Sequence, residues 1–273
     1  MASENRFRPN IRVLQSFVRW IERPCFDPRF AKKWGLLYSA SPEAAMCEAT
    51  FWDILAGFGI DVEPNDLSDG QSAPDFLCHK NGLKFYVEVT CICLDTATGR
   101  TNLDAFGTAT TGSRHYATLN RAIANECKDK TRQCANLDAP CLLGIGTFHF
   151  EASALVINQD CIGHLLTDEP QIAVAFDPIA GHGVGDPYQL TDFRRAPFTR
   201  LYGEQLEHMR QPISGLLIGG FGLMPPPLFG VLHPDARRPF DPTLLDRISF
   251  CRLNVNNLGD TVSAEWLRPI ATE

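Results

Sequence analysis

Apolar residues recur at helical spacing between Ala44 and Phe58, where Ala44, Cys47, Phe51, Ile54, Leu55 and Phe58 form one stripe and predict an amphipathic helix. Ser41-Pro42-Glu43 marks its start, with Ser as N-cap, Pro at the first helical position and an acid in the first turn. Gly57 and Gly59 end it. A shorter helical pattern covers Ile11–Ile21, and a stretch containing Pro and aromatic residues follows to Tyr38. Ile60–Gln71 reads as a short strand and a polar loop. The period then changes. Asp75–His79 and Leu83–Leu94 read as strands joined by Asn81-Gly82, the strongest short-range hairpin signal. The second strand, LKFYVEVTCICL, is β-branched and aromatic on both faces, as a central strand should be. A Gly/Thr-rich loop over Asp95–Gly112 leads into a long helix near Ser113–Asn136, and Pro140–Phe148 predicts a buried strand.

Beyond Glu151 the pattern loosens. Gln171–Phe176, Ile213–Gly219 and Phe229–His233 read as strands, and Pro178–Arg200 as a long loop rich in Gly, Pro and Arg. A strand–hairpin–helix–strand core with later additions is α/β or α+β. Three segments are expected: an N-terminal helical extension (1–40), a core (41–150), and a C-terminal elaboration (151–273) packed on the same domain.

Composition narrows the function classes. With 273 residues, 44% hydrophobic and 21% charged, the chain can bury a real core, which excludes wholesale disorder and a disulfide-dependent mini-protein. Its formal net charge of −7 excludes a protein that coats DNA through bulk positive charge, though not a local basic groove. The polar N-terminus and the lack of any apolar run near the roughly 18 residues of a membrane span point to a cytoplasmic protein with no membrane partner. Ten cysteines include no C-x-x-C pair; Cys91 and Cys93 alone are close, as alternate residues of an apolar run. They are expected to be reduced, non-ligating small hydrophobes. Seven scattered histidines make no H-x-x-x-H or H-x-H, Gly219–Gly222 precedes prolines and not a helix, and no G-x-S-x-G or Walker motif occurs.

Three acids stand out by context. Asp75 follows Pro74 at the opening of the first hairpin strand, Glu88 lies between Val87 and Val89, and Glu48 flanks the apolar stripe of its helix. A mid-strand carboxylate among Val, Tyr and Ile is costly to bury without a partner, and a divalent cation suits oxygen ligands. The order Glu48, then Ala73-Pro74-Asp75-Phe76, then Tyr86-Val87-Glu88-Val89-Thr90, resembles the PD-(D/E)XK nuclease superfamily. The resemblance spans Ser41–Phe148. It implies a restriction-endonuclease-like fold, a mixed central sheet flanked by helices, in which Asp75 and Glu88 bind Mg²⁺ or Mn²⁺ and Glu48 binds metal or positions water. It further implies a phosphodiesterase acting on DNA, with RNA less favoured, and leaves a homodimer open.

The sequence departs from that family at Thr90, which stands where the family carries Lys. Superfamily members exist in which the lysine migrates to the following helix. Leu119, Ile123, Glu126, Lys130 and Gln133 recur at three and four and share one helical face, which makes Lys130 and Gln133 the candidates. Lys130 should then approach Glu88, with Lys128, rotated by roughly 200°, in solvent. Simpler roles stay open for each residue. Glu88 could pair with Lys84, Asp75 could cap a turn, Glu48 could be solvated, and Lys130 could snorkel past the core. Glu43 is the rival of Glu48, better explained as a first-turn acid. Arg194, Arg195, Arg237 and Arg238 are candidates to meet nucleic-acid phosphates, with an ordinary surface turn as the alternative at Arg237 and Arg238. Thr90 and the acidic net charge support a second function: a catalytically inactive nuclease fold used for binding or scaffolding.

Overall fold

The computed structural model describes residues 7, 9–22, 28–65, 73–101, 113–157, 162, 165–167, 171–190, 193, 196–202, 205–255 and 262–267. Helices α1 (Ile11–Ile21), α2 (Pro28–Ala40) and α3 (Pro42–Gly57) precede strands β1 (Asp61–Pro64), β2 (Phe76–Lys80) and β3 (Leu83–Cys91). Helices α4 (Leu94–Thr101) and α5 (Ser113–Cys134) lead to β4 (Cys141–Thr147) and α6 (Phe150–Ile157). Two small hairpins follow, β5 (Gln171–Asp177) with β6 (His182–Leu190), and β7 (Thr199–Tyr202) with β8 (Gln205–His208). The chain then adds β9 (Gly215–Gly220), β10 (Leu228–Leu232), β11 (Phe250–Val255) and β12 (Val262–Leu267).

Eight strands make one mixed sheet in the order β1-β2-β3-β4-β9-β10-β11-β12. The β2–β3 hairpin is antiparallel, and β3, β4 and β9 run parallel. The architecture is mixed α/β with helices flanking a central sheet. Asn81 (φ 54°) and Gly82 (φ 76°) turn the hairpin in the left-handed region, as the Asn-Gly signal requires. Two cores cover the two faces. The first joins Trp20, Phe51, Phe76, Phe85, Val87 and Leu142. The second joins Ile123, Leu143, Ile145, Ile218 and Phe198. Alternation along β4 divides Leu142 from Leu143 and Ile145, so a strand fully buried at every position serves both.

Small residues on β4 let α3 sit close. A Cβ at Gly146 would stand 2.5 Å from both Cys47 Sγ and a Phe221 ring carbon, and one at Gly144 would meet the Phe51 ring at 3.2 Å. This close seat also explains why α3 is buried on more faces than its predicted stripe, at Ala45, Met46, Ala49 and Thr50 as well as Cys47, Phe51 and Leu55. Ser41 is the N-cap by position, but its side chain makes no capping bond, and Pro42 alone sets the start. Asn10 caps α1 by accepting from Arg12 N and Val13 N, while its amide donates to Phe221 O at 2.8 Å.

Three segments differ from expectation. The stretch before Tyr38 is the helix α2, whose Trp34 stacks on Tyr38 one turn later and packs beside Trp20. The start of the expected Asp95–Gly112 loop is the helix α4, which buries Leu94 and places Ala97 in the second core; the rest of that loop lies outside the described residues. Pro178–Arg200 holds a strand and the start of another, because Gly181 (φ 71°) and Gly185 (φ 79°) supply the turn and irregularity of a hairpin. No helix among the described residues is long and apolar enough to cross a membrane.

Candidate metal and active site

Asp75 immediately precedes β2, and the Phe76–Val87 register places it across from Glu88. Its Oδ2 accepts from the Val89 amide at 2.7 Å, so it holds the neighbouring strand and does not cap its own turn. Strand β3 outruns β2 here, and α3 covers the extension: Cys47 Sγ donates to Thr90 O at 3.5 Å. Glu48, on the same helix, comes within electrostatic reach of Asp75 and Glu88. The helix acid and the two hairpin acids thus act on one another electrostatically.

Strand alternation sends Val87 and Val89 into the first core, while Glu88 and Thr90 face α5. On that helix Glu126 and Lys130 lie one turn apart and meet the two strand residues in order. Thr90 Oγ1 donates to Glu126 Oε2 at 2.9 Å, and Lys130 Nζ donates to Glu88 Oε1 at 2.5 Å. The Glu88 side chain is 2% exposed and that of Lys130 26%. Lys128 is exposed. Gln133 stands close enough to favour the charged form of Glu88. Lys84 pairs with Asp138 at 2.6 Å, which removes it as a partner for Glu88.

The electrostatics are those of a site crowded with negative charge. Burial pushes the Glu48 carboxyl well above the usual range, and the charges of Asp75 and Glu88 add to it, against Lys33 and Lys130. Asp75 is pushed up to about 7, by burial first and Glu88 second. Glu88 is raised by burial, with Lys130 pulling the other way. Lys130 loses solvation too, but the attraction of Glu88 outweighs that loss and keeps it charged. Lys33, from α2, brings positive charge toward Glu48 and Asp75. No sequence motif singles out Lys33, because α2 lies outside the segment that carries the family resemblance.

These residues fit a hard divalent cation. Glu88 Oε2 is buried and has no hydrogen-bond partner, and two of the three carboxyls crowd each other against ionisation. A cation at Asp75 and Glu88 would relieve both costs. The three carboxylates do not make a closed cage: the set of three donors that all lie within 4.8 Å of one another, among the described residues, is Glu43, Cys91 and Cys93. The expectation that Glu48, Asp75 and Glu88 all share one ion directly is thus narrowed. Mg²⁺ usually takes one or two carboxylates and keeps several waters.

Of the four arginines, Arg194 and Arg195 lie outside the described residues. Arg237 donates from its guanidinium to Ala135 O at 3.0 Å, at the C-terminal end of α5, where a cation complements the helix dipole. The Arg238 carbonyl accepts from Ser214 Oγ at 2.6 Å. Beside them, His233 is locked as a turn residue: Nδ1 accepts from Asp235 N, which leaves Nε2 to donate to Met209 O at 2.7 Å. The Arg237 guanidinium and the Arg238 carbonyl are thus both engaged within this turn. No protein-family model, no curated protein and no solved structure matches the chain, so its function is argued from the chemistry of this site.

Proposed function

We propose that the chain is a Mg²⁺-dependent phosphodiesterase acting on DNA, with the restriction-endonuclease-like arrangement that its motif order implies. The observation that carries this reading is the Glu88–Lys130 contact beside Asp75: a buried strand carboxylate, a second carboxylate across the hairpin, and a helix-borne cation on the same group. Asp75 and Glu88 would hold the cation, with Glu48 next to it. Bound there, Mg²⁺ would polarise a phosphoryl oxygen and make a water more acidic.

The chain's own groups supply the rest. Lys130 keeps its charge and presents it where negative charge develops on the phosphate, in a site of restricted solvent. Glu48, whose proton affinity is raised by burial and by Asp75, is suited to take a proton from the attacking water. Gln133 helps fix the Glu88 carboxylate. Thr90 is bound to Glu126 and serves to align α5 on β3, not to supply charge.

The test is cleavage of supercoiled and linear DNA with Mg²⁺ or Mn²⁺, using wild type, Asp75→Asn and Glu88→Gln. The expected result is metal-dependent cleavage by wild type and none by either variant. DNA binding without cleavage by wild type would move the assignment to an inactive nuclease fold. Cleavage that survives both substitutions would overturn the site.

A further inference from the structure

We propose that Glu43, Cys91 and Cys93 form a separate Zn²⁺ site at the C-terminal end of β3, just beyond Glu88, a site whose existence does not depend on the nuclease reading. The carboxylate oxygen and the two Sγ atoms all lie within 4.8 Å of one another. Zinc bonds of about 2.3 Å to sulfur and about 2.1 Å to oxygen need only small side-chain rotations from that starting point. Two thiolates and a carboxylate are a borderline-soft donor set, which favours Zn²⁺ over Mg²⁺.

The frame beneath these donors is rigid. Cys91 ends β3 and Cys93 follows it by two residues, with Ile92 between them held to β4 on both sides. Ile92 N donates to Gly146 O at 2.9 Å, and Thr147 Oγ1 donates to Ile92 O at 2.9 Å. Cys93 Sγ is already turned toward the Cys91 carbonyl, at 3.8 Å. Glu43 is fixed by a 2.7 Å bond from Leu94 N to its Oε2, which leaves its other oxygen available to a ligand. All three residues are partly exposed, so solvent could supply a fourth ligand. Zinc loading converts two thiols to thiolates and releases two protons to solvent.

The site has a structural consequence. It would join the first turn of α3, which carries Glu48, to the end of β3, which carries Glu88. The spacing of the cysteines hid it, because the third donor comes from a helix roughly 50 residues earlier.

Purified protein, kept reduced, is reconstituted with Zn²⁺, desalted and assayed for metal per chain, then loaded with Co²⁺ for absorption spectroscopy. One tightly held Zn²⁺ per chain is expected, with thiolate-to-cobalt charge transfer in the near ultraviolet. Cys93→Ser and Glu43→Gln should each weaken Zn²⁺ binding by on the order of a hundredfold or more, since even loss of a supporting group around a zinc ligand costs 10–100-fold. Glu88→Gln, which alters the other site, should keep the zinc. Far-ultraviolet circular dichroism establishes that each variant is folded, and the cobalt spectrum of the wild type needs no variant at all. Absence of retained zinc in the wild type, a cobalt spectrum without thiolate bands, or undiminished zinc in folded Cys93→Ser would overturn the proposal. Loss of DNA cleavage would bear on the nuclease reading only.

Discussion

Lys130 Nζ lies 2.5 Å from Glu88 Oε1, a contact between α5 and β3 across 42 residues of chain. It joins a carboxylate with almost no exposed surface to an ammonium that stays partly open to solvent. Removing one partner of such a pair strands the other, at a cost of about 3–5 kcal/mol. Lys130→Ala should therefore both lower the melting temperature and reduce Mg²⁺-dependent cleavage by on the order of a hundredfold or more. Lys128→Ala, at an exposed position, should change neither. Thermal melts and single-turnover cleavage of the two variants separate these outcomes. Equal losses in both would mean that the helix face is misassigned.

Asp75 predicts a conflict between stability and activity. Its folded pKa is raised to about 7 from 3.8, so the folded state holds a proton that the unfolded state has released. Its contribution is complete at low pH and is lost as pH rises from about 4 to about 7. Asp75→Asn keeps an oxygen to accept from Val89 N and removes the repulsion with Glu88. Metal-free Asp75→Asn should melt a few degrees above wild type at pH 8, by roughly 1–2 kcal/mol, while losing cleavage. Calorimetry in the presence of a chelator would refute this if the variant melted lower.

Mg²⁺ should stabilise the wild type for the same reason. At a hundred times its dissociation constant, a ligand of the folded state adds about 2.7 kcal/mol. The shift in melting temperature should be absent in Glu88→Gln. Titrating Mg²⁺ against both proteins by scanning fluorimetry measures it, and an equal shift in the variant would place the cation elsewhere.

His233 gives a second pH dependence, of opposite sign. Burial lowers its folded pKa from 6.5 to about 4, and its hydrogen bonds need the neutral ring. The unfolded state therefore binds more protons between those values. This contribution is complete above about pH 6.5 and declines as pH falls toward 4, by roughly 3 kcal/mol at most. Replacing His233 with Gln should flatten the stability profile over that window in urea denaturation. An unchanged slope would remove the assignment.

Gly146→Ala tests the packing of α3 on the sheet. The added methyl would stand 2.5 Å from Cys47 Sγ and from the Phe221 ring, both buried. Overpacking of this kind costs about 1–3 kcal/mol, and displacement of α3 would also carry Glu48 away from the acids. A lowered melting temperature with reduced cleavage is expected, whereas Gly59→Ala, which meets nothing within 4 Å but has φ 70°, should show only a backbone penalty.

Local patterns in the sequence determined the elements of the core. The Pro42 start of α3, the Asn81-Gly82 hairpin and the stripe from Leu119 to Gln133 are set by short-range sterics and by period, and these survive folding unchanged. Glu88 and Lys130 were legible for that reason, since each sits on an element whose face can be counted, and Asp75 immediately precedes β2 in the same hairpin register. Tertiary structure decided what counting cannot reach. Lys33 approaches the site because α2 packs on α3, and Glu43 meets Cys91 and Cys93 because α3 seats against the end of β3. It also decided that Arg237 caps α5. Contacts between distant segments depend on how whole surfaces fill space, and no short window of sequence carries that information.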